Sequence, residues 1–181
     1  MKCLLIFILL SIFKSLTYSQ ITMSGNDQHN FFYEDEPLES ITGISWRFKT
    51  DGKGANVPMV INGVVYSGDD KGNFYALDCN SGQEIWHFIA GGKLHDGPSI
   101  KDQVAYIGTS SGIIYAIDIT TGEEKWRIQT NGSVCNPPAL ADSLGFALSH
   151  DKKMYIFNLE TGLIKDTITE KYILCPSFSI F

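Results

Sequence analysis

Short apolar runs broken by turn residues, rather than a helical stripe, organise this 181-residue chain. Hydrophobic, β-branched and aromatic residues gather in the runs, and Gly, Asn, Asp and Ser gather between them. From residue 58 the alternation predicts strands at 58–61, 64–68, 74–78 and 84–89. Asn62-Gly63 is a hairpin turn signal, 69–73 (DDKGN) is a second turn with Gly72 suited to positive φ, and Asn80-Ser81-Gly82 is a third. No segment sustains a helical period.

The pattern returns every 40 residues. Trp46, Trp86 and Trp126 keep that spacing, as do Gly52, Gly92 and Gly132; Pro58, Pro98 and Pro138; Tyr75, Tyr115 and Tyr155; and Gly82, Gly122 and Gly162. A register held without insertion over three units means a repeated structural unit, and four antiparallel strands per 40 residues is a propeller blade. The predicted fold is all-β, with blades at about 57–89, 97–129 and 137–168. Residues 44–49 read as a lone fourth strand carrying Trp46, and 173–181 (ILCPSFSIF) repeat 133–141 (SVCNPPALA) as the start of a fourth blade. Three blades and two part-blades do not close a ring that usually holds about 4–8 blades. The expectation is a truncated chain. Self-association through open blade edges, or an open stack of repeats, are the alternatives.

The N-terminus changes the picture of where the chain resides. Lys2, the apolar run 3–13 and the small residues Thr17 and Ser19 predict a signal peptide over 1–19, followed by a lead-in segment over 20–43. The run falls short of the roughly 20 apolar residues a bilayer span needs, although an uncleaved anchor is the competing reading. No Cys follows it at a lipid-attachment spacing. Cleavage leaves 162 residues with 12 basic and 20 acidic side chains, a net charge of −8. Such a surface, with no basic stripe, excludes nucleic acid as a partner, and no further apolar run predicts a membrane span. Cys79, Cys135 and Cys175 remain, too few for a disulfide-stapled scaffold.

Within the repeat lies a fixed set of small, acidic and aromatic residues. Ala76, Asp78, Gly82 and Trp86 form one set, and Ala116, Asp118, Gly122 and Trp126 form the next. A Trp late in the fourth strand buries well only against small neighbours such as Ala and Gly, and a short acid caps turn amides. The constellation resembles the tryptophan-docking motif of the pyrroloquinoline-quinone-type propeller repeat family, found in quinoprotein dehydrogenases and in the outer-membrane assembly propeller of Gram-negative bacteria. The resemblance covers about 44–181, and Met23-Ser24-Gly25-Asn26 is similar to the segment that precedes a first blade. The third unit keeps Gly162 but places Ile156, Asn158 and Asp166 at the Ala, Asp and Trp positions and Lys152 at the turn Gly, so it is expected to be the weakest docked.

Dehydrogenases of this fold hold the quinone and calcium in the central channel with a catalytic Asp and often a Cys-Cys pair. No such pair and no matching Glu, Asn and Asp set occurs here, so no catalytic or cofactor-binding residue and no cofactor are expected. The DDKGN turn has cation-type oxygens, but its counterparts at 109–113 and 149–153 lack them, and it reads as a solvated turn. The column Ala55, His95, Cys135, Cys175 begins the strand nearest the axis. His95, Cys135 and Cys175 are soft ligands suited to zinc or copper, and a Cys135–Cys175 disulfide is the alternative. The next column, Asn56, Asp96 and Asn136, is polar as a channel mouth would be. His87 adjoins Trp86, while His29 and His150 read as isolated. The acidic 34–36 stretch after Phe31-Phe32-Tyr33 reads as a solvated lead-in.

The resulting expectation is a noncatalytic, secreted or periplasmic scaffold that binds protein partners through blade edges and end loops. A fragment of a quinone-dependent dehydrogenase, with pyrroloquinoline quinone and calcium as cofactors, and a stress-sensor luminal domain are the alternatives.

Overall fold

A computed structural model describes residues 43–53 and 56–169. The expected signal peptide, the expected lead-in up to residue 42, Ala55, Cys175 and the expected fourth-blade start lie outside the described residues. Among the described residues twelve strands form three separate four-stranded antiparallel sheets, each a meander. The first sheet holds β1 (Met59–Ile61), β2 (Val64–Gly68), β3 (Asn73–Asp78) and β4 (Glu84–Ile89). The second holds β5 (Ser99–Lys101), β6 (Val104–Gly108), β7 (Ile113–Asp118) and β8 (Glu124–Gln129). The third holds β9 (Ala139–Ala141), β10 (Leu144–Ser149), β11 (Lys153–Asn158) and β12 (Ile164–Thr169). The first strands are innermost. Ser99 Oγ on β5 donates to the Pro138 carbonyl at 2.6 Å, tying one blade to the next.

Local chemistry explains the strand ends. Asn62 and Gly63 both take positive φ, at 51° and 77°, as a two-residue hairpin between twisted strands requires. Asp78 Oδ1 accepts the amides of Asn80 and Ser81, and Asn158 Oδ1 accepts those of Glu160 and Thr161 in the same way. An amide oxygen serves as well as a carboxylate here, so Asn158 leaves the third turn intact. In every blade the third and fourth strands slip register at the same place, leaving Ile85, Lys125 and Lys165 as the extra residues of a bulge.

The blades bury their faces against one another. Trp86 lies over Gly122 of the next blade, and its Nε1 donates to the Ile119 carbonyl at 3.1 Å. Trp126 lies over Gly162 and donates to Leu159 at 3.0 Å. Tyr66 and Tyr106 donate their hydroxyls to those same two carbonyls, at 3.3 and 3.2 Å. Burial, with a smaller push from nearby Asp118 or Asp102, lifts both phenols to about 12, so they remain donors. Phe74, Ile107, Ile114, Ile117, Val134 and Phe157 fill the space between sheets.

The lone strand expected at 44–49 has no ladder partner among the described residues. It nevertheless occupies the place of a fourth strand, because Trp46 lies over Gly82, its Nε1 donates to Cys79 at 2.8 Å, and Phe48 meets Tyr75 edge-on. The third blade receives Trp126 as the second blade receives Trp86. Its changes lie on the opposite side. Asp166 replaces the outgoing Trp, Phe146 replaces the donor Tyr, and Ile156 fills the space opposite Asp166 that Ala leaves for a Trp.

Gly63 and Gly122 share a φ near 77°, but a Cβ on Gly63 meets nothing within 4 Å while one on Gly122 meets Trp86 Cδ2 at 2.7 Å. In urea unfolding, Gly63→Ala is expected to cost about 1 kcal/mol and Gly122→Ala about 2–4 kcal/mol, the difference measuring the joint. Lys152 sits at φ 67°, so Lys152→Gly is expected to raise stability by about 1 kcal/mol in the same assay.

Candidate functional site

The joints account for the motif residues and show how they are shared between blades. Ala76 faces Trp86 across β3 and β4 of one blade, and Ala116 faces Trp126 likewise. The glycine of each set receives the Trp of the preceding blade. These residues are therefore spent on holding the blades together, and functional chemistry must lie at the rims.

At the rim that carries the blade-to-blade loops, the DDKGN turn exposes Lys71 but buries Asp69 and Asn73. Asp69 is fully buried, and its carboxylate accepts from the amides of Gly52, Lys71 and Asn73, from Asn73 Nδ2 and from the Tyr75 hydroxyl, at 2.8–3.2 Å. Burial alone would raise its pKa, but the Asn73 side chain and the Asn73, Gly52 and Lys71 amides outweigh it and hold the carboxyl below 3.8. With its oxygens committed to N–H and O–H donors, Asp69 is a structural pin for the 43–53 segment. Thr109 and Ser149, equally buried, occupy the same place in the next blades. At the third joint a carboxylate reappears two residues along, where Asp151 accepts from Tyr155 at 2.6 Å and from the Asn131 amide at 3.2 Å.

The same rim brings together side chains that the sequence left apart. Cys135 Sγ lies 3.5 Å from His150 Nε2 and 3.2 Å from Ser133 Oγ. His150, read as isolated, is thus a partner of Cys135, and its amide donates to the Ser133 carbonyl at 2.9 Å. His95 sits in the equivalent loop one blade earlier. Its imidazole is held below the usual value by burial first, then by Lys93 and by His150. Among the described residues no group of three or more His, Cys, Asp and Glu side chains is arranged to hold a metal. The proposed ligand set of His95, Cys135 and Cys175 and the Cys135–Cys175 disulfide extend beyond the described residues, where Cys175 falls. Cys79 and Cys135 are free thiols.

At the opposite rim a groove of about 330 Å³ opens between the first two blades, walled by Ile61, Val64, Tyr66, Ile85, Trp86 and Ile119. Its outer lip is β4, an open sheet edge. Ile85, the bulge residue, is 51% exposed, and Ile89 at the far end of the strand is 69% exposed. The equivalent positions are Lys125 and Gln129 on β8, and Lys165 and Thr169 on β12. Lysine at a bulge is a standard guard on an open edge, and the first blade lacks it. No sequence motif marked this surface. Comparison of the fourth strands position by position would have found it.

Stacked four-stranded meanders with innermost first strands and tryptophan joints define a β-propeller. A match to the family described as outer membrane protein assembly factor BamB runs over residues 70–165. The chain belongs to the pyrroloquinoline-quinone-type propeller repeat family. Its fold is similar to the crystal structure of BamB from Moraxella catarrhalis, with a TM-score of 0.60 and 20% identity over 72% of this chain and 41% of that one. It is similar also to a quinohemoprotein alcohol dehydrogenase from Pseudomonas putida, with a TM-score of 0.54 and 21% identity over 59% of this chain and 19% of that one. The computationally designed protein Ika4 gives a TM-score of 0.59 and 16% identity over 66% of this chain and 74% of that one. The chain thus spans less than half the length of the first two. No curated protein sequence matches it.

Because its folded pKa is depressed, the contribution of Asp69 is fully present above 3.8 and is lost as pH falls through the lower folded value. Asp69→Asn is expected to lower stability at neutral pH and to flatten the acid dependence below about pH 4, as read by thermal melts across pH.

Proposed function

We propose that this protein is a noncatalytic, extracytoplasmic propeller scaffold that binds extended apolar segments of protein partners along the outer edge of its first blade. The observation that carries the reading is the β4 edge, where exposed Ile85 and Ile89 stand in place of the lysine and polar residues of β8 and β12. An unguarded edge offers unpaired backbone groups to an added strand, and the groove behind it accepts an apolar side chain. The matched family model is described by an outer-membrane assembly factor, which is consistent with a binding role. The N-terminal signal supports export, to the periplasm in a Gram-negative source. Among the described residues no helix is long and apolar enough to cross a membrane.

Two measurements test this. A photo-crosslinking residue at position 89 is expected to give discrete protein adducts in the exporting host, lost on Ile85→Lys, while one at position 129 gives none. Equal labelling at both positions would sink the edge as the binding surface. Mixing the mature chain with pyrroloquinoline quinone and calcium is expected to leave the quinone absorbance unchanged, and saturable uptake would transfer the chain to the dehydrogenase class.

A further inference from the structure

The Cys135 and His150 pair is used neither by the blade joints nor by the proposed binding edge. We propose that Cys135 is a reactive thiol that exchanges with the disulfides of small thiol compounds, with His150 as its base. A nucleophile and a base within hydrogen-bond reach, on independently held backbone, is the arrangement such chemistry needs. Here both backbones are held. Val134, fully buried, donates its amide to the Thr109 carbonyl at 2.9 Å, and the His150 amide is bonded to Ser133. The sulfur is half-buried and the imidazole is exposed, so a small disulfide can approach.

Asp151, the acid next to His150, is turned inward to Tyr155 and the Asn131 amide. Ser133 Oγ supplies a hydroxyl beside the sulfur. Reactive cysteines occupy partly exposed places beside a basic side chain. Cys79 is the contrast within the same chain. Burial first, and the neighbouring Asp78 carboxylate second, push its thiol up, and no histidine contact accompanies it among the described residues. The equivalent loop one blade earlier carries His95 at the Cys135 position and Ser110 at the His150 position, with Ser110 Oγ accepting the Lys93 amide, so the pair is a local substitution and not a requirement of the blade.

In the step, the Cys135 proton passes to His150 Nε2 and the sulfur attacks one sulfur of the incoming disulfide. A bond forms between Cys135 and that sulfur while the original disulfide bond breaks. Cys135 is oxidised, and the departing sulfur is reduced to a thiolate that takes a proton from the imidazolium or from water. The product is a mixed disulfide on Cys135 and one free small thiol.

The test treats the reduced, folded mature chain with oxidised glutathione and maps the adducts by peptide mass spectrometry over time, so that each cysteine reports separately. Cys135 is expected to react at least about tenfold faster than Cys79. His150→Ala is expected to slow Cys135 by about tenfold or more without changing the Cys79 rate or the circular dichroism, and added imidazole is expected to restore part of the loss. Equal rates at Cys135 and Cys79, or a Cys135 rate indifferent to His150→Ala and to imidazole, would overturn the proposal.

Discussion

Each blade of this propeller is completed by its neighbour, through a tryptophan laid on a glycine. The ring is large, flat and rigid, and it removes much apolar surface from water only where the opposing backbone carries no side chain. Gly82, Gly122 and Gly162 meet that need twice over, with φ values near 70–76° that other residues avoid and a Cβ direction already filled by the indole. The indole N–H then finds a carbonyl of the receiving blade, and at the two complete inter-blade joints a tyrosine hydroxyl shares it. The contact anchors a wider apolar layer between adjoining sheets, in which residues such as Phe74, Ile107, Ile114 and Phe157 take part.

The second constraint is the row of buried polar pins at the loop rim. Asp69, Thr109 and Ser149 satisfy backbone groups of the turns and connections that would otherwise be buried without partners. Once those positions are pinned, residues one or two places away vary without cost to the fold. That is how a cysteine and a histidine come to face each other at one joint, while its neighbour holds a histidine and a serine. At the far rim the same freedom places isoleucine on an edge that the other blades guard with lysine. Function in a repeat protein is found in such departures from the repeat, since the repeated residues are occupied with packing.

Much of the fold was legible in the chain. The four strands predicted for the first blade agree with those observed to within a residue, because turn glycines and alternation act locally. The direction of the docking motif was not legible. Ala, Asp, Gly and Trp lie close in sequence and read as one unit, yet Gly82 receives the Trp from 36 residues earlier and Trp86 goes to the glycine 36 residues later. The third blade's losses at Ile156 and Asp166 accordingly fall on its outgoing side. Asp69 was misjudged because a carboxylate in a Gly- and Asn-rich turn looks solvated until the 43–53 segment is seen to lie across it. His150 looked isolated because its partner is 15 residues away on another loop.

The sequence by itself determined the period, the strands, the turns and hence the blade, since these follow from interactions among residues a few positions apart. Tertiary structure decided which face meets which, which carboxylate is buried, and which thiol has a base. Those outcomes depend on contacts between blades, where an unchanging 40-residue spacing shows that neighbours pack alike but not which side chains they bring together.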